Sequence, residues 1–584
     1  MPDHNYWTRL ATRRLSRRSL LAASTKAGVG AAGLALVGCG DDDDDDAVSQ
    51  APAGDTADQT TDQAADQAVD QADDQATPAD DADEAVAQAG GPKHGGIYRQ
   101  ANGSDAFHLD FSLRIDVVQA WNTNMVYGKM LEYTTGEGWG LEHSMAEKVE
   151  TPSDTETILT LRPDIFFHDK PPVNGRQLTS EDAVTHIEYI MGSDPPAQSF
   201  AFGPVDLVEP IDPLTVKYTM SQPFAYFQDY LADTYAGNVM AREVLDQEGD
   251  LRTVAIGTGA FQHDEWEKNV AVRLSRNPNY FLNPLPYLDG IELQVQPDVN
   301  NQLAEFRTGG SHNLGGTLGW PAQLRDVVRD TIDGVQELSI PNLGNYGPLL
   351  NSNRFPDQRL RQSVSLGIDR VDLLNLYEDA ELSSPISSGF GDLVMGAENF
   401  EMWQMDKQRS RNLLDAAGYP DGLDLDMLIG PYGGAYLLLG EAIAIQLRDV
   451  GWNLNIFSPP YADWIGDFFT EPNHDIALGT TSPRPPIDFQ VWGHYNSASG
   501  GNFVHSTDPE LDRLTDAVRY EVDTDERTLR LEEFQEYIAD QVYWATTVLE
   551  PRHFFIQSYV RDMRRGAGAA FFANVMQKVW FDEV

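Results

Sequence analysis

The chain has 584 residues, which is enough for several domains or for one large multi-lobed domain with a substantial core. Its 91 acidic residues against 41 lysines and arginines give a formal net charge of −50. So acidic a surface excludes nucleic acid as a partner, because phosphate binding relies on basic side chains that release counterions. Cys39 is the single cysteine, which excludes a disulfide within the chain and a zinc site built on several cysteines.

Residues 1–38 have the pattern of an export signal. A basic stretch at residues 13–18 precedes a small apolar run at 27–37, which is too short to span a bilayer, since a span needs about 20 apolar residues. SRRSLL at residues 16–21 resembles the twin-arginine export motif, and LVGC at 36–39 resembles a bacterial or archaeal lipobox. We therefore expect export in the folded state, cleavage before Cys39 and acylation of its thiol.

Residues 39–92 are predicted to be an acidic, disordered tether. Residues 41–92 contain 17 acidic residues and no basic one, beginning with six consecutive aspartates. The segment has too little apolar surface to offset the entropy of ordering, and charge repulsion keeps it extended. With a lipid on Cys39, the tether would hold a globular module at the outer face of the cell membrane, in the periplasm or at the cell surface.

The first predicted elements of the folded part are two strands and a helix. IYR at residues 97–99 predicts a strand, and TILTLRPDIFFH at 157–168 predicts another that ends in a turn. Thr179 is a candidate helix N-cap with Asp182 at the third helical position, and apolar residues then recur at helical spacing.

The stretch from residue 257 to 298 predicts a hairpin, an aromatic plug and an exit strand. Phe261 opens the first strand, and residues 270–274 alternate between apolar and polar side chains. Tyr280 and Phe281 follow a proline that breaks the second strand, because proline cannot donate to a ladder. A third alternating run at 291–295 leads to a predicted hinge near Pro297.

The second half alternates helices with strands. Asp357 is a candidate helix cap, residues 412–417 predict a helix that stops at Gly418, and residues 441–450 predict another. Strands are predicted at residues 425–429 and 452–456, and two further helices at residues 508–518 and 524–542. This alternation predicts parallel βαβ units.

These segments, in this order, resemble the family 5 extracellular solute-binding proteins, which are peptide-, nickel- or oligosaccharide-binding lipoproteins of ABC importers. The resemblance runs from about residue 95 to the end and departs where Lys170 replaces a usual glycine and where GSH at 310–312 replaces an acidic helix end. It is carried by LRPDIFFHD at 161–169, LTSEDAV at 178–184, the stretch 257–298, NSNRFPDQRLRQSVSLGIDR at 351–370, LDAAGYPDG at 414–422 and DPELDRL at 508–514.

The resemblance implies an α/β fold: a two-lobed, periplasmic-binding-protein-like clamshell of type II with an extra subdomain in the first lobe. The expected division is a first lobe at 93–297, a second lobe at 298–552 and a C-terminal return to the first lobe at 553–584. It also implies that a small-molecule or oligopeptide ligand is caught between the lobes and delivered to ABC permease subunits. We expect a monomer with no cofactor, no metal and no enzymatic activity.

The resemblance also indicates candidate ligand-binding residues. In peptide-binding relatives, a loop after a strand carries an aspartate that pairs with the peptide amine, and an ungapped count from Asp475 places Arg484 there. The charge is thereby inverted, and a guanidinium would clamp a carboxylate or phosphate. Two alternatives stay open: Arg484 is an exposed loop charge, or Asp488 replaces the missing acid. Further candidates, each of which taken singly fits the core or the rim better than a ligand contact, are Tyr127, Trp320, Asn345, Tyr346, Trp492 and Asn502.

No sequence pattern indicates catalysis. The chain lacks HExxH, GxSxG and GxxxxGK[ST], and GTG at 257–259 lacks the third glycine of a dinucleotide loop. His168 and Asp169 are interpreted as a pair that stabilises a turn. Two other functions stay open at this point: a ligand-sensing lipoprotein without transport, and an exported hydrolase whose nucleophile and base are not apparent from spacing.

Overall fold

The computed structural model describes residues 91–584 except 114–115, 135–139, 194–196, 318, 322–323, 341–343, 345, 432–433, 461–462, 465–466, 469–473, 480–483, 565–572, 574 and 583–584. Pro92–Val584 belong to one compact unit. The predicted export signal, Cys39 and the acidic tether up to residue 90 lie outside the described residues.

The described residues form a seven-stranded sheet, here called the main sheet. In spatial order its strands are Gln336–Ile340, Arg552–Ile556, Asn313–Leu314, Ile97–Asn102, Gly290–Val295, Ala271–Arg276 and Phe261–Glu267. Ile97–Asn102 runs parallel to Gly290–Val295, and the three strands between Phe261 and Val295 pair antiparallel. The predicted hairpin and exit strand are therefore confirmed. The ring of Tyr280 lies 4.9 Å from that of Phe281, and its hydroxyl donates to the Gln577 side chain.

A second sheet, here called the antiparallel sheet, forms the inserted subdomain. Its order is Ala146–Ser153, Glu156–Leu161, Thr215–Met220 and Val205–Asp212, with antiparallel pairing throughout. The inner strands alternate between buried and partly exposed residues, as expected for a sheet with one face on the core. We call the main sheet, the antiparallel sheet and the segments that connect them the first lobe.

A third sheet, here called the mixed sheet, is the centre of the second lobe. Its order is Gly347–Leu350, Ile476–Gly479, Leu423–Ile429 and Trp452–Phe457. Leu423–Ile429 is parallel to both of its neighbours, which confirms the predicted βαβ arrangement.

The change from the main sheet to the mixed sheet does not fall at the predicted boundary of 297/298. Asn313–Leu314 and Gln336–Ile340 still pair within the main sheet, and the mixed sheet begins only at Gly347. The physical reason is that proline at 297 ends one strand without ending the lobe, because the next strands return to the opposite edge. The chain comes back to the main sheet with Arg552–Ile556.

The helices begin at side-chain caps where the sequence predicts them. Asp182 and Thr179 form a capping box, and Asp357 accepts a hydrogen bond from the Arg359 backbone. Asp508 caps a helix with Pro509 in its first turn. Among the described residues, the α-helices are Val117–Asn124, Ser180–Gly192, Phe227–Leu231, Arg242–Glu248, Val299–Arg307, Arg325–Arg329, Gln358–Leu366, Arg370–Leu373, Lys407–Ala416, Gly434–Arg448, Pro509–Tyr520 and Thr524–Gln541.

His168 holds the loop that precedes the hairpin. Its Nε2 lies 3.0 Å from the Gly259 carbonyl oxygen, and its Nδ1 accepts from the Gly257 amide. The ring therefore stabilises the loop at 257–259 and not a pair with Asp169, which corrects the predicted partner. A Cβ at Gly257 would lie 2.3 Å from the Val126 carbonyl oxygen, so the loop also needs a glycine there.

The lobes pack against each other through aromatic side chains. Phe489 of the second lobe stacks on Phe200 of the first, with ring centroids 5.7 Å apart. Both rings belong to one continuous apolar cluster that also includes Tyr230 and Tyr495. The lobes are therefore closed on each other at these side chains, which are removed from water.

Candidate functional site

A cluster of buried charged and polar side chains lies where the lobes meet. First-lobe members come from the turn at Ser199–Ala201 and from the helix Phe227–Leu231 and the loop after it, and second-lobe members come from the segment after Ile476–Gly479 and from the helix Pro509–Tyr520. We call it the interlobe cluster, and its members are Gln198, Tyr230, Asp233, Arg484, Asp488, His494 and Arg519.

Arg484 and Asp233 form an ion pair between the lobes. Arg484 Nη1 lies 3.2 Å from Asp233 Oδ1, and both side chains are 0% exposed. Arg484 also donates to Gln198 Oε1 from Nη1 and Nη2, each at 3.1 Å. The Asp233 carboxylate is fixed independently by the amides of Tyr235 and Ala236, at 3.0 and 2.7 Å. The first lobe thus presents a preorganised acid to the second-lobe guanidinium.

Aromatic rings surround the Arg484 guanidinium. Its carbon lies 4.0 Å from the Phe489 ring centroid, 4.8 Å from that of Tyr235 and 5.5 Å from that of Phe200. A cation over desolvated ring faces is stabilised by about 2 kcal/mol. Burial also strengthens the attraction to Asp233, because the surroundings screen the charges less than water does. Arg484 is therefore buried, and the alternative of an exposed loop charge is wrong.

Asp488, Arg519 and Tyr230 form the second half of the cluster. Arg519 makes an ion pair with Asp488 Oδ2 and donates to the Phe200 carbonyl oxygen. The Tyr230 hydroxyl donates to the same Asp488 oxygen at 2.7 Å. Burial raises the pKa of Asp488, while the Arg519 guanidinium opposes that rise. Asp488 and Arg519 belong to the same lobe, so this pair survives separation of the lobes.

His494 stands out because neither ring nitrogen has a hydrogen-bond partner, although the side chain is 0% exposed. Its ring lies 4.5 Å from that of Phe489 and 4.6 Å from that of Phe503. Burial, with a further contribution from the positive charge of Arg484, holds the pKa of His494 well below its ordinary value. The imidazole is therefore neutral and offers one donor and one acceptor.

Other atoms of the cluster are also unpartnered. They are Gln198 Nε2, Asp233 Oδ2, Arg484 Nε, Asp488 Oδ1 and Arg519 Nε. Each buried polar atom without a partner costs about 1–3 kcal/mol, so several in one place indicate that water or a solute completes them. The interlobe cluster has the hydrogen-bonding capacity of a binding site.

The structure brings three of the predicted residues together. Arg484 and Asp488 lie in the cluster, and Trp492 borders it, with its ring centroid 4.2 Å from the Arg519 guanidinium carbon. Trp492 also donates from Nε1 to Asp516 at 2.8 Å. Arg484 pairs with Asp233, and Asp488 pairs with Arg519, so any role of either residue as a ligand contact stays a prediction.

The other predicted residues have their described contacts elsewhere. Tyr127 packs edge-on against Phe111, with centroids 5.0 Å apart, and Trp320 donates to the Leu324 carbonyl within a small apolar cluster. Tyr346 meets Tyr436 edge-on at 4.8 Å. Asn502 donates to the Ser506 carbonyl at 2.8 Å. Asn345 lies outside the described residues, and all five remain predictions as ligand contacts.

Sequence reasoning missed the first-lobe half of the cluster and both Arg519 and His494. One signal was present for Asp233, an acid between Tyr230 and Tyr235. A second was present for Arg519, which follows Val518 on the apolar side of its helix. A charge on a buried face requires a partner, but the sequence does not say which.

Two other kinds of feature are absent from the described residues. Histidine, cysteine and acidic side chains form no group of three or more there that would hold a metal ion. The described helices include none long and apolar enough to cross a membrane.

Comparisons with solved structures show a shared fold. The chain superimposes on the ABC transporter-associated periplasmic binding protein DppA from Helicobacter pylori, in complex with peptide STSA, with a TM-score of 0.74, 18% identity, and coverage of 84% of this chain and 99% of that one. NikZ from Campylobacter jejuni in complex with Ni(L-His) gives a TM-score of 0.72 at 17% identity, covering 82% of this chain and 99% of that one. This likeness shows the expected two-lobed, mixed α/β periplasmic-binding-protein fold of type II.

Sequence comparisons give a curated relative and a family. The glutathione-binding protein GsiB from Salmonella paratyphi A is 27% identical over 218 residues, which cover 37% of this chain and 41% of that relative. The model of the middle part of the bacterial extracellular solute-binding proteins, family 5, matches residues 140–503, well over half of the chain. The chain belongs to the bacterial extracellular solute-binding proteins of family 5, a family of transporter binding proteins and not of enzymes.

Proposed function

We propose that this protein captures a peptide-like or other small organic solute between its lobes and delivers it to the permease of an ABC transporter. The observation that carries the proposal is the interlobe cluster, where buried polar atoms of both lobes converge without partners. Family membership supports it, as do relatives whose names state binding of a peptide, nickel-histidine or glutathione.

Closure has a direct physical account in this geometry. Arg484 and Asp233 belong to different lobes, so opening separates them and exposes both charges to water. A solute that satisfies the unpartnered atoms contacts both lobes only when they are shut. It therefore shifts the open–closed equilibrium by its difference in affinity for the two forms. A permease that recognises the closed form would then distinguish loaded from empty protein.

The ligand preference differs from that of a receptor for free-amine dipeptides. Such a receptor needs an uncompensated acid for the amine, whereas the second-lobe position is occupied here by Arg484. Both acids of the cluster already face a guanidinium. A free amine would therefore be desolvated without gaining a counter-ion of its own, which is unfavourable in a buried site.

The cellular setting follows from the N-terminal sequence. Cys39 in its lipobox-like context and the acidic segment after it support an anchored, extracytoplasmic protein. The anchor would keep the binding lobes beside a permease in the same membrane. Replacing Cys39 by alanine is expected to release the protein from the membrane fraction while leaving ligand binding unchanged. Membrane retention of the variant would contradict this part of the proposal.

Two experiments test the function itself. Thermal unfolding with panels of peptides, oligosaccharides and metal chelates identifies the solute class, because a ligand that binds only the folded state raises the apparent stability. Strong stabilisation by unmodified dipeptides would contradict the proposed preference. Deletion of the gene should then abolish uptake of the identified solute. Unchanged uptake would favour a ligand-sensing lipoprotein without transport.

A further inference from the structure

The charges of the interlobe cluster balance without a ligand. Two guanidiniums, Arg484 and Arg519, face two carboxylates, Asp233 and Asp488. The nearby His494 is neutral, since burial holds its pKa well below the ordinary value. A ligand with a net charge at this place would therefore leave one charge uncompensated in surroundings that screen it poorly.

The unpartnered atoms of the cluster are of both kinds. Gln198 Nε2, Arg484 Nε and Arg519 Nε have hydrogens to donate, whereas Asp233 Oδ2 and Asp488 Oδ1 accept. His494 adds one donor and one acceptor, because a neutral imidazole has both. The complementary ligand group therefore carries donors and acceptors together, as an amide or a hydroxyl does.

Asp233 is held in place by its own lobe and opposes a negative ligand group beside Arg484. Its carboxylate is held by two backbone amides of the first lobe, so it is in place before Arg484 arrives on closure. A ligand carboxylate directed at Arg484 would approach Asp233 at short range, and like charges brought together without water repel strongly. Such a built-in repulsion is a means of rejecting the wrong ligand.

We propose that Asp233 is the specificity-determining residue of the cleft: by neutralising Arg484 on closure, it restricts capture to solutes that are uncharged where they meet the cluster and that carry both donors and acceptors. This inference rests on the proposed function, since it names the ligand class of the same site. It predicts that removing one charge of the pair creates a preference for a ligand whose charge is opposite to the charge that remains.

The test uses one peptide skeleton in three charge states. The probes are N-acetyl-alanyl-phenylalanine amide, which is uncharged, N-acetyl-alanyl-phenylalanine, which is an anion, and alanyl-phenylalanine amide, which is a cation. Isothermal titration calorimetry on the wild-type protein is expected to show the uncharged probe binding about tenfold more tightly than either charged one, or better. Asp233→Asn should prefer the anion, and Arg484→Gln should prefer the cation.

The double variant Asp233→Asn, Arg484→Gln is the matched control. It removes both charges, so its preference should return to the uncharged probe, and thermal unfolding without ligand shows whether each variant is folded. An unchanged order of the probes in the two single variants would overturn the proposal, as would binding of no probe by any of the proteins. Loss of uptake on gene deletion, together with an unchanged order, would overturn this inference and leave the proposed function intact.

Discussion

Two of the buried arginines that join the lobes, Arg484 and Arg325, differ in the exposure of their acidic partners. Arg484 in the cleft is 0% exposed and faces Asp233, which is also 0% exposed. Arg325 is 1% exposed but faces Glu378, which is 44% exposed, and Asp379, which is 64% exposed. Arg325 also lies 2.6 Å from His553 Nε2 in the main sheet.

The two sets of ion pairs differ in how much stability is lost when one partner is removed. Water reaches Glu378 and Asp379, so either acid remains solvated without the arginine, and an ion pair with a solvated partner contributes less to stability than a fully buried one. Asp233 and Arg484 have no such access in the closed form, so each depends on the other. The pair of Arg484 and Asp233 is suited to a function that must detect a change of charge. The pairs of Arg325 with Glu378 and Asp379 are suited to holding two segments together.

The largest expected effect comes from breaking the cleft pair. Asp233→Asn leaves Arg484 buried without its carboxylate and should lower the free energy of unfolding by about 3 kcal/mol. Arg484→Gln should lower it less, because two backbone amides still satisfy Asp233. Urea unfolding at neutral pH measures both values. An equal loss in the two variants would show that the backbone amides do not compensate Asp233.

The next prediction uses Glu550, which lies between the strands Val548–Leu549 and Arg552–Ile556. Burial raises the pKa of Glu550 to about 7, against the opposing charges of Arg325 and Arg552. Because the folded state then holds a proton that the unfolded state releases, stability is lost as pH rises from about 4.5 to about 7. Glu550→Gln should remove that loss and be more stable than wild type at pH 8, by about 3 kcal/mol at most.

The pH dependence of Glu550→Gln is measured by urea unfolding at pH 4 and pH 8. The two proteins should differ little at pH 4, where the wild-type carboxyl is protonated in both states. A difference of the same size at both pH values would show that packing, and not titration, is responsible.

A third prediction concerns His494 of the interlobe cluster and the stability at acidic pH. The lowered pKa of His494 means that the unfolded state binds a proton that the folded state does not. Stability is therefore lost as pH falls below about 6.5, the ordinary value for histidine. His494→Gln keeps a donor and an acceptor but does not titrate, so its unfolding free energy should fall less than that of wild type between pH 7 and pH 5. Parallel pH profiles would show that the pKa of His494 is the same in the folded and unfolded states, which would contradict the prediction.

The smallest effect on the free energy of unfolding is expected for Arg325. Arg325→Gln should lower the free energy of unfolding by about 1 kcal/mol, because its acidic partners are largely solvated. High salt should reduce the difference between Arg325→Gln and wild type, whereas it should leave the effect of Asp233→Asn nearly unchanged. Urea unfolding at low and high ionic strength measures this contrast. A larger loss than in Asp233→Asn would reverse the comparison between the two regions.

Much of the fold was predictable because its determinants are local. The cap at Asp357, the proline-started helix after Asp508 and the alternating strands between Phe261 and Val295 are set by neighbours in sequence. The candidate site was predictable only in part. Arg484 was a candidate because an ungapped comparison with the family's loop placed it at the position of the amine-binding aspartate. Its burial depends on contacts with Asp233 and Gln198, which are 251 and 286 positions away in the sequence.

The sequence by itself determined many of the strands and helices, because periodicity, capping and turn residues act over a few positions, and its resemblance to a family indicated the class of molecule. The tertiary structure decided the sheet to which the strands Asn313–Leu314 and Gln336–Ile340 belong, the partner of His168 and the counter-ion of Arg484. These depend on which distant segments meet when apolar surfaces are buried. In the sequence, Asp233 is an acid between Tyr230 and Tyr235, and contact between the lobes makes it the partner of Arg484.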